Sequence, residues 1–134
     1  MIKLYTTPSC TSCRKAKKWL MDHDIEFVEK NIFREPLSDD ELKHILELTE
    51  NGTTDIISTR SIAYQKLDID FDALTLNELI TLLKETPSLL RRPLLIDELC
   101  LNIGFNEDEI RVFLPKEVRK QELSHILLFT GMNN

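Results

Sequence analysis

No apolar run in the sequence approaches the ~20 residues needed to cross a bilayer, which excludes a helical membrane span. Its first ten residues, MIKLYTTPSC, lack the basic-then-apolar layout of a secretory signal, so the cytosol is the expected compartment. No second cysteine pair matches the first. Cys10 and Cys13 stand three apart, Cys100 stands alone, and His23, His44 and His125 are scattered singly. A structural zinc site normally needs four ligands at recognisable spacing, so no metal site and no cofactor are expected. Three cysteines in a cytosolic chain do not make a disulfide scaffold either; there a pair is more often catalytic, redox-sensing or metal-binding. Internal repeats and low-complexity stretches are also missing.

Nor is there an excess of positive charge. The net charge is −6, and it is unevenly spread: residues 1–34 carry seven Lys or Arg against four Asp or Glu, and residues 35–134 carry ten against nineteen. Phosphate neutralisation drives most affinity for DNA, so promoter DNA would be held only weakly, or within a larger complex. What is present is an ordinary globular composition, 42% hydrophobic and 30% charged over 134 residues, enough for one domain with its own core.

The segment Ile2–Thr6 is β-branched and aromatic and stops at Pro8, which predicts a strand. Ala16, Trp19 and Leu20 then recur at helical spacing up to Asp22–Asp24, and residues 25–33 alternate as a second strand. A strand, a helix and a strand with short links make a βαβ unit with parallel strands. Ser38 with Glu41, and Thr75 with Glu78, form capping-box patterns, each ahead of a helix. The first of these helices is expected to stop at Asn51-Gly52, and Pro87 limits the second. Residues 92–97 and 99–104 read as a strand and its hairpin partner. Asn106 and Glu109 predict a short helix, Pro115 opens a last one with Val118, Leu123, Ile126 and Leu127, and Gly131 ends it. The expected architecture is α/β: a thioredoxin-like mixed four-stranded sheet with a helical insertion, in a single domain spanning 1–134. Residues 1–35 and 88–119 form the thioredoxin-like part, 36–87 the insertion and 131–134 a flexible tail.

The chemistry centres on "PSCTSCRKAKKWL". A cysteine at a helix N-terminus meets unpaired backbone N–H groups and the positive end of the helix dipole. Arg14, Lys15, Lys17 and Lys18 add positive charge, so the thiolate is expected at Cys10. Cys13, one turn on, is placed to resolve a sulfenic acid or close a disulfide. Cys100, between leucines, reads as a buried core residue, and the three histidines read as surface residues on helices.

The ordered set "PSCTSCRKAKKWL", "NIFREPLS", "LTENGT", "IISTRS", "LLRRP" and "GFNEDEIRVFLP" resembles the ArsC/Spx family, and within it the Spx branch of redox-responsive transcription regulators. The resemblance spans residues 1 to about 119. It implies binding to the C-terminal domain of the RNA polymerase α subunit, with an output tuned by a Cys10–Cys13 thiol/disulfide switch; nothing in the sequence suggests an obligate oligomer, and a monomer is expected. Such regulators activate thiol and oxidative-stress genes and block activators that need the same α surface. It places Gly52 at the polymerase interface, with Ser12 and Glu47 beside it; relatives often carry a basic residue where Glu47 stands. It assigns Arg14, Arg60 and Arg92 as guanidinium support for the redox site, with Arg92 near Cys10, and it implies a cis bond before Pro93. Guanidinium groups give fork-like hydrogen bonds to an oxyanion, thiolate or sulfenate.

The alternative that the resemblance carries is an arsenate reductase or glutaredoxin-like oxidoreductase with Cys10 as nucleophile. Leu99-Cys100-Leu101 lacks the further oxyanion-binding arginine of the reductases, which favours the regulator. Arg91 is expected to ion-pair with acidic surface groups. The resemblance also implies turnover through a protease adaptor and Clp protease reading the C-terminal end, although the end here, HILLFTGMNN, departs from the usual pattern.

Overall fold

β1 (Ile2–Thr6) alternates between two cores, and this alternation organises the molecule. Ile2 and Leu4 face α1 (Thr11–Asp22) and pack with Ala16, Leu20, Leu95, Ile110 and Phe113. Tyr5 faces the opposite side, with Leu42, Ile45, Ile80 and Leu83. Period two along a strand puts successive side chains on opposite faces, so a strand buried on both sides reads as nearly continuous apolar sequence. The structure is a computed structural model that describes residues 1–115.

β2 (Phe27–Asn31) lies parallel to β1, with Ile2 opposite Phe27 and Leu4 opposite Glu29. After it come α2 (Asp39–Glu47), α3 (Thr53–Ile56), α4 (Ile62–Lys66) and α5 (Leu76–Glu85), with 3-10 turns at Phe71–Ala73 and Pro87–Leu89. β3 (Leu94–Ile96) returns antiparallel to β1, and β4 (Leu101–Ile103) pairs antiparallel with β3. The sheet order is β2-β1-β3-β4, mixed and four-stranded. A 3-10 turn at Ile110–Phe113 follows.

Both capping boxes form as the sequence predicts. The Ser38 hydroxyl accepts from the Glu41 N–H at 3.1 Å while the Glu41 carboxylate accepts from the Ser38 N–H, and Thr75 with Glu78 repeats the arrangement. Boundaries differ elsewhere. α2 ends at Glu47 instead of Asn51, because Leu48 already caps it and the chain then turns; Gly52 caps the start of α3. The second strand is trimmed to an edge strand of five residues. The element after Asn106 is a 3-10 turn, and the Asn106 Oδ1 accepts from the N–H groups of Asp108 and Glu109. The expected helix beyond Pro115 and the tail at 131–134 lie outside the described residues.

Candidate functional site

The loop from β1 to α1 delivers the dithiol. Ser9 takes a left-handed conformation, φ +61°, which turns the chain sharply enough to place Cys10 as the N-cap of α1. The Cys10 Sγ accepts from the backbone N–H of Cys13 at 3.2 Å, so sulfur serves where a Ser or Asp oxygen usually does. Cys10 is half-buried and Cys13 is buried, and all three cysteines are free thiols. Burial pushes the Cys13 thiol up to about 12. The neighbouring Cys10 sulfur adds to this, while a hydrogen bond from the Thr7 backbone and the charge of Arg92 pull partly back. The two sulfurs are therefore unequal: one accessible, one held protonated.

A cleft of about 210 Å³ opens beside them, lined by residues including Pro8, Cys10, Cys13, Arg14, Lys17 and Glu29. Of the three arginines assigned to the site, only Arg14 lines this cleft; it is exposed, and its Nη2 donates to the Thr11 hydroxyl at 3.3 Å. Arg92 is half-buried, its guanidinium carbon 5.7 Å from the Phe33 ring centroid, and its charge reaches Cys13. The Arg92 Nη1 is buried and has no hydrogen-bond partner among the described residues, leaving a donor uncommitted. Arg60 is exposed and does not line the cleft. The Arg92–Pro93 bond is cis, as the resemblance implies.

The second group of residues belongs to two segments. Ser12 is exposed in the first turn of α1, and Glu47 is exposed at the end of α2, its carboxylate 4.0 Å from the His44 Nδ1. Gly52 follows at φ +78°, ψ −142°, where a Cβ would meet no atom within 4 Å but would force an L-residue into a backbone conformation it seldom adopts. Asp55 ties this stretch together. Its Oδ2 accepts from the N–H groups of Glu50 and Asn51 at 3.0 and 2.9 Å, and its own N–H donates to the Gly52 carbonyl. The Asn51 backbone bond leads in holding the Asp55 carboxyl below the usual range, helped by the charge of Arg91 nearby. Arg91 itself donates to the Asp55 carbonyl at 3.4 Å, so its hydrogen bond goes to a backbone oxygen and not to the acidic side chain expected.

Two further expectations need correction. Cys100 is half-buried rather than buried, because it sits at the β3–β4 turn and lines an open groove. His44 is half-buried as well, one ring nitrogen 3.0 Å from the Asp97 carbonyl. His23, by contrast, is exposed and caps α1, stacked on Trp19. His125 lies outside the described residues. Sequence reasoning missed Asp55, and it missed Glu29, whose partners Thr6 and Lys17 come from two other elements.

A mixed sheet of order β2-β1-β3-β4, with a Cys-x-x-Cys pair opening its first helix, defines a thioredoxin-fold dithiol protein. The chain belongs to the ArsC family, whose model matches residues 5–113, and within it to the Spx group. It is 58% identical over 132 residues to the global transcriptional regulator Spx of Enterococcus faecalis, covering 98% of this chain and all of that one. It is 62% identical over 123 residues to the Spx of Streptococcus mutans, covering 92% and 90% of the two chains. Among solved structures, one described as a possible arsenate reductase from Streptococcus mutans superposes with a TM-score of 0.70 at 28% identity, covering 79% of this chain and 92% of that one. No helix among the described residues is long and apolar enough to cross a membrane.

Proposed function

We propose that the chain is a redox-sensing global transcription regulator of the Spx type, acting in the cytoplasm on the C-terminal domain of the RNA polymerase α subunit. The observation that carries this reading is the unequal dithiol at the start of α1, in a chain 58% identical to a named Spx regulator over nearly its whole length. The Cys10 thiolate attacks one oxygen of a peroxide, the O–O bond breaks, and a sulfenic acid and hydroxide result. Cys13 then attacks the Cys10 sulfur; the disulfide forms and the sulfenic oxygen leaves as water with the Cys13 proton.

Closing the disulfide alters the acceptor that the Cys13 N–H uses, so the change reaches the first turn of α1, where Ser12 lies. Arg92, with one donor uncommitted, supports the sulfenate stage and responds to the loss of the thiol. Arg14 and Pro93 complete the redox support; Arg60, exposed and not lining the cleft, does not join it. Gly52, Ser12 and Glu47 form the polymerase-facing surface: Gly52 lets a partner approach the backbone, and Asp55 keeps that stretch in shape. The net charge of −6 leaves promoter DNA as a partner only within the polymerase complex.

Transcription in vitro from a thiol-stress promoter tests this reading. The parent should respond to diamide, and the Cys10→Ala/Cys13→Ala double variant should lose the response. Equal output from both sinks the switch. The reductase reading draws on the structural relative described as a possible arsenate reductase. It predicts arsenate-dependent oxidation of a thiol donor that disappears in Cys10→Ala.

A further inference from the structure

The cleft beside the dithiol contains a carboxylate as well as cations. Glu29 stands opposite Leu4 in the parallel register of β1 and β2, which puts its side chain on the face of the sheet covered by α1. There it accepts from the Thr6 hydroxyl at 3.3 Å and meets the Lys17 ammonium at 2.9 Å. Thr6 is the last residue of β1 before the cysteine loop, and Lys17 lies one turn beyond Cys13 on α1. Glu29, Lys17, Cys10 and Cys13 all line the same small cleft. Of the two cationic residues lining the cleft, Lys17 is thus paired with the Glu29 carboxylate, while Arg14 is exposed with its Nη2 on the Thr11 hydroxyl.

We propose that Glu29 is the specificity-determining residue of the redox switch: by engaging Lys17 in the cleft, it discriminates against anionic oxidants and admits neutral peroxides to Cys10. This rests on the reading of Cys10–Cys13 as a redox switch. Cys10 sulfur attacks the peroxide oxygen, the O–O bond breaks, and the leaving group is hydroxide from hydrogen peroxide or phosphate from peroxymonophosphate. Both oxidants give the same sulfenic acid and then the same disulfide, but only the second carries negative charge into the cleft. A substitution that acted merely through packing would change both rates together, whereas a charge filter changes their ratio.

The test compares second-order rate constants for loss of the two thiols with hydrogen peroxide and with peroxymonophosphate, at low and high ionic strength. The proposal predicts that Glu29→Gln raises the peroxymonophosphate rate about tenfold at low salt while the hydrogen peroxide rate stays within about twofold. High salt should erase most of that gain. The double variant Lys17→Gln/Glu29→Gln should return the ratio close to the parent value, because the freed cation is then gone. A ratio unchanged in Glu29→Gln, or a gain retained in the double variant, overturns the proposal while leaving the switch intact. A parent that forms no Cys10–Cys13 disulfide with either oxidant overturns the switch, and the proposal with it.

Discussion

The Cys10 sulfur accepts the Cys13 backbone N–H at 3.2 Å, so the more exposed cysteine of the pair is also the N-cap of the helix that carries its partner. On the proposed switch, redox state and local structure are joined at one atom. A disulfide between these residues changes the capping interaction at the same moment as it changes the chemistry.

The first prediction concerns their inequality. With the Cys13 thiol pushed up to about 12 by burial, almost none of it is ionised at pH 7, and the thiolate is the reacting form. Iodoacetamide at pH 7 should label Cys10 about a hundredfold or more faster than Cys13, as read by peptide mass spectrometry. Cys13 labelling in Cys10→Ala should still be rising with pH above pH 9. Equal labelling of the two would contradict the geometry.

Ser9 stores backbone strain just ahead of the site. An L-residue in the left-handed region costs about 1–2 kcal/mol, and glycine avoids most of it. Ser9→Gly should therefore stabilise the protein to urea by about 0.5–1 kcal/mol, with the labelling asymmetry retained.

Glu41 gives a pH signature. Burial alone would raise its carboxyl, but hydrogen bonds from Lys30, from the Tyr5 hydroxyl at 2.7 Å and from the Ser38 N–H outweigh that and hold it at about 2. A carboxyl depressed in the folded state contributes stability that is complete above its ordinary value of 4.5 and lost as pH falls toward 2. Between pH 5 and pH 2 the parent should lose on the order of 2 kcal/mol through this group, once solvent screening is discounted. Glu41→Gln should be less stable at pH 7 and show a shallower acid loss in urea melts. Parallel curves would refute the assignment.

Asp55 supports the stretch proposed to face the polymerase. Asp55→Ala removes the Oδ2 that accepts from both the Glu50 and Asn51 N–H groups, without touching Gly52, Ser12 or Glu47. Amide exchange at residues 50–52 should speed up about tenfold or more, and affinity for the C-terminal domain of α should fall, with little change in overall stability.

Much of this was legible in the sequence where the signal is local. Ser38 with Glu41 and Thr75 with Glu78 announce helix starts through neighbours three residues apart, and both boxes form. Cys10 reads as standing at a helix N-terminus, and the structure makes it the N-cap. The end of α2 did not read correctly, since the Asn51-Gly52 turn signal lies beyond Leu48, which already caps the helix. Cys100 misled because flanking leucines suggest a core, whereas Leu99 is 84% exposed at the turn. Glu29 and Asp55 were missed because their roles depend on partners from other elements or on backbone N–H groups. The parallel register of β1 and β2 was the one signal that could have placed Glu29 beside the dithiol.

The most direct test is a calorimetric titration of the purified protein against the isolated C-terminal domain of RNA polymerase α, in dithiothreitol and after mild diamide. The account predicts saturable binding that Gly52→Arg abolishes in a variant that still folds, and an affinity difference between the two conditions that vanishes in Cys10→Ala/Cys13→Ala. No binding in either condition, or Gly52→Arg binding as tightly as the parent, would contradict it.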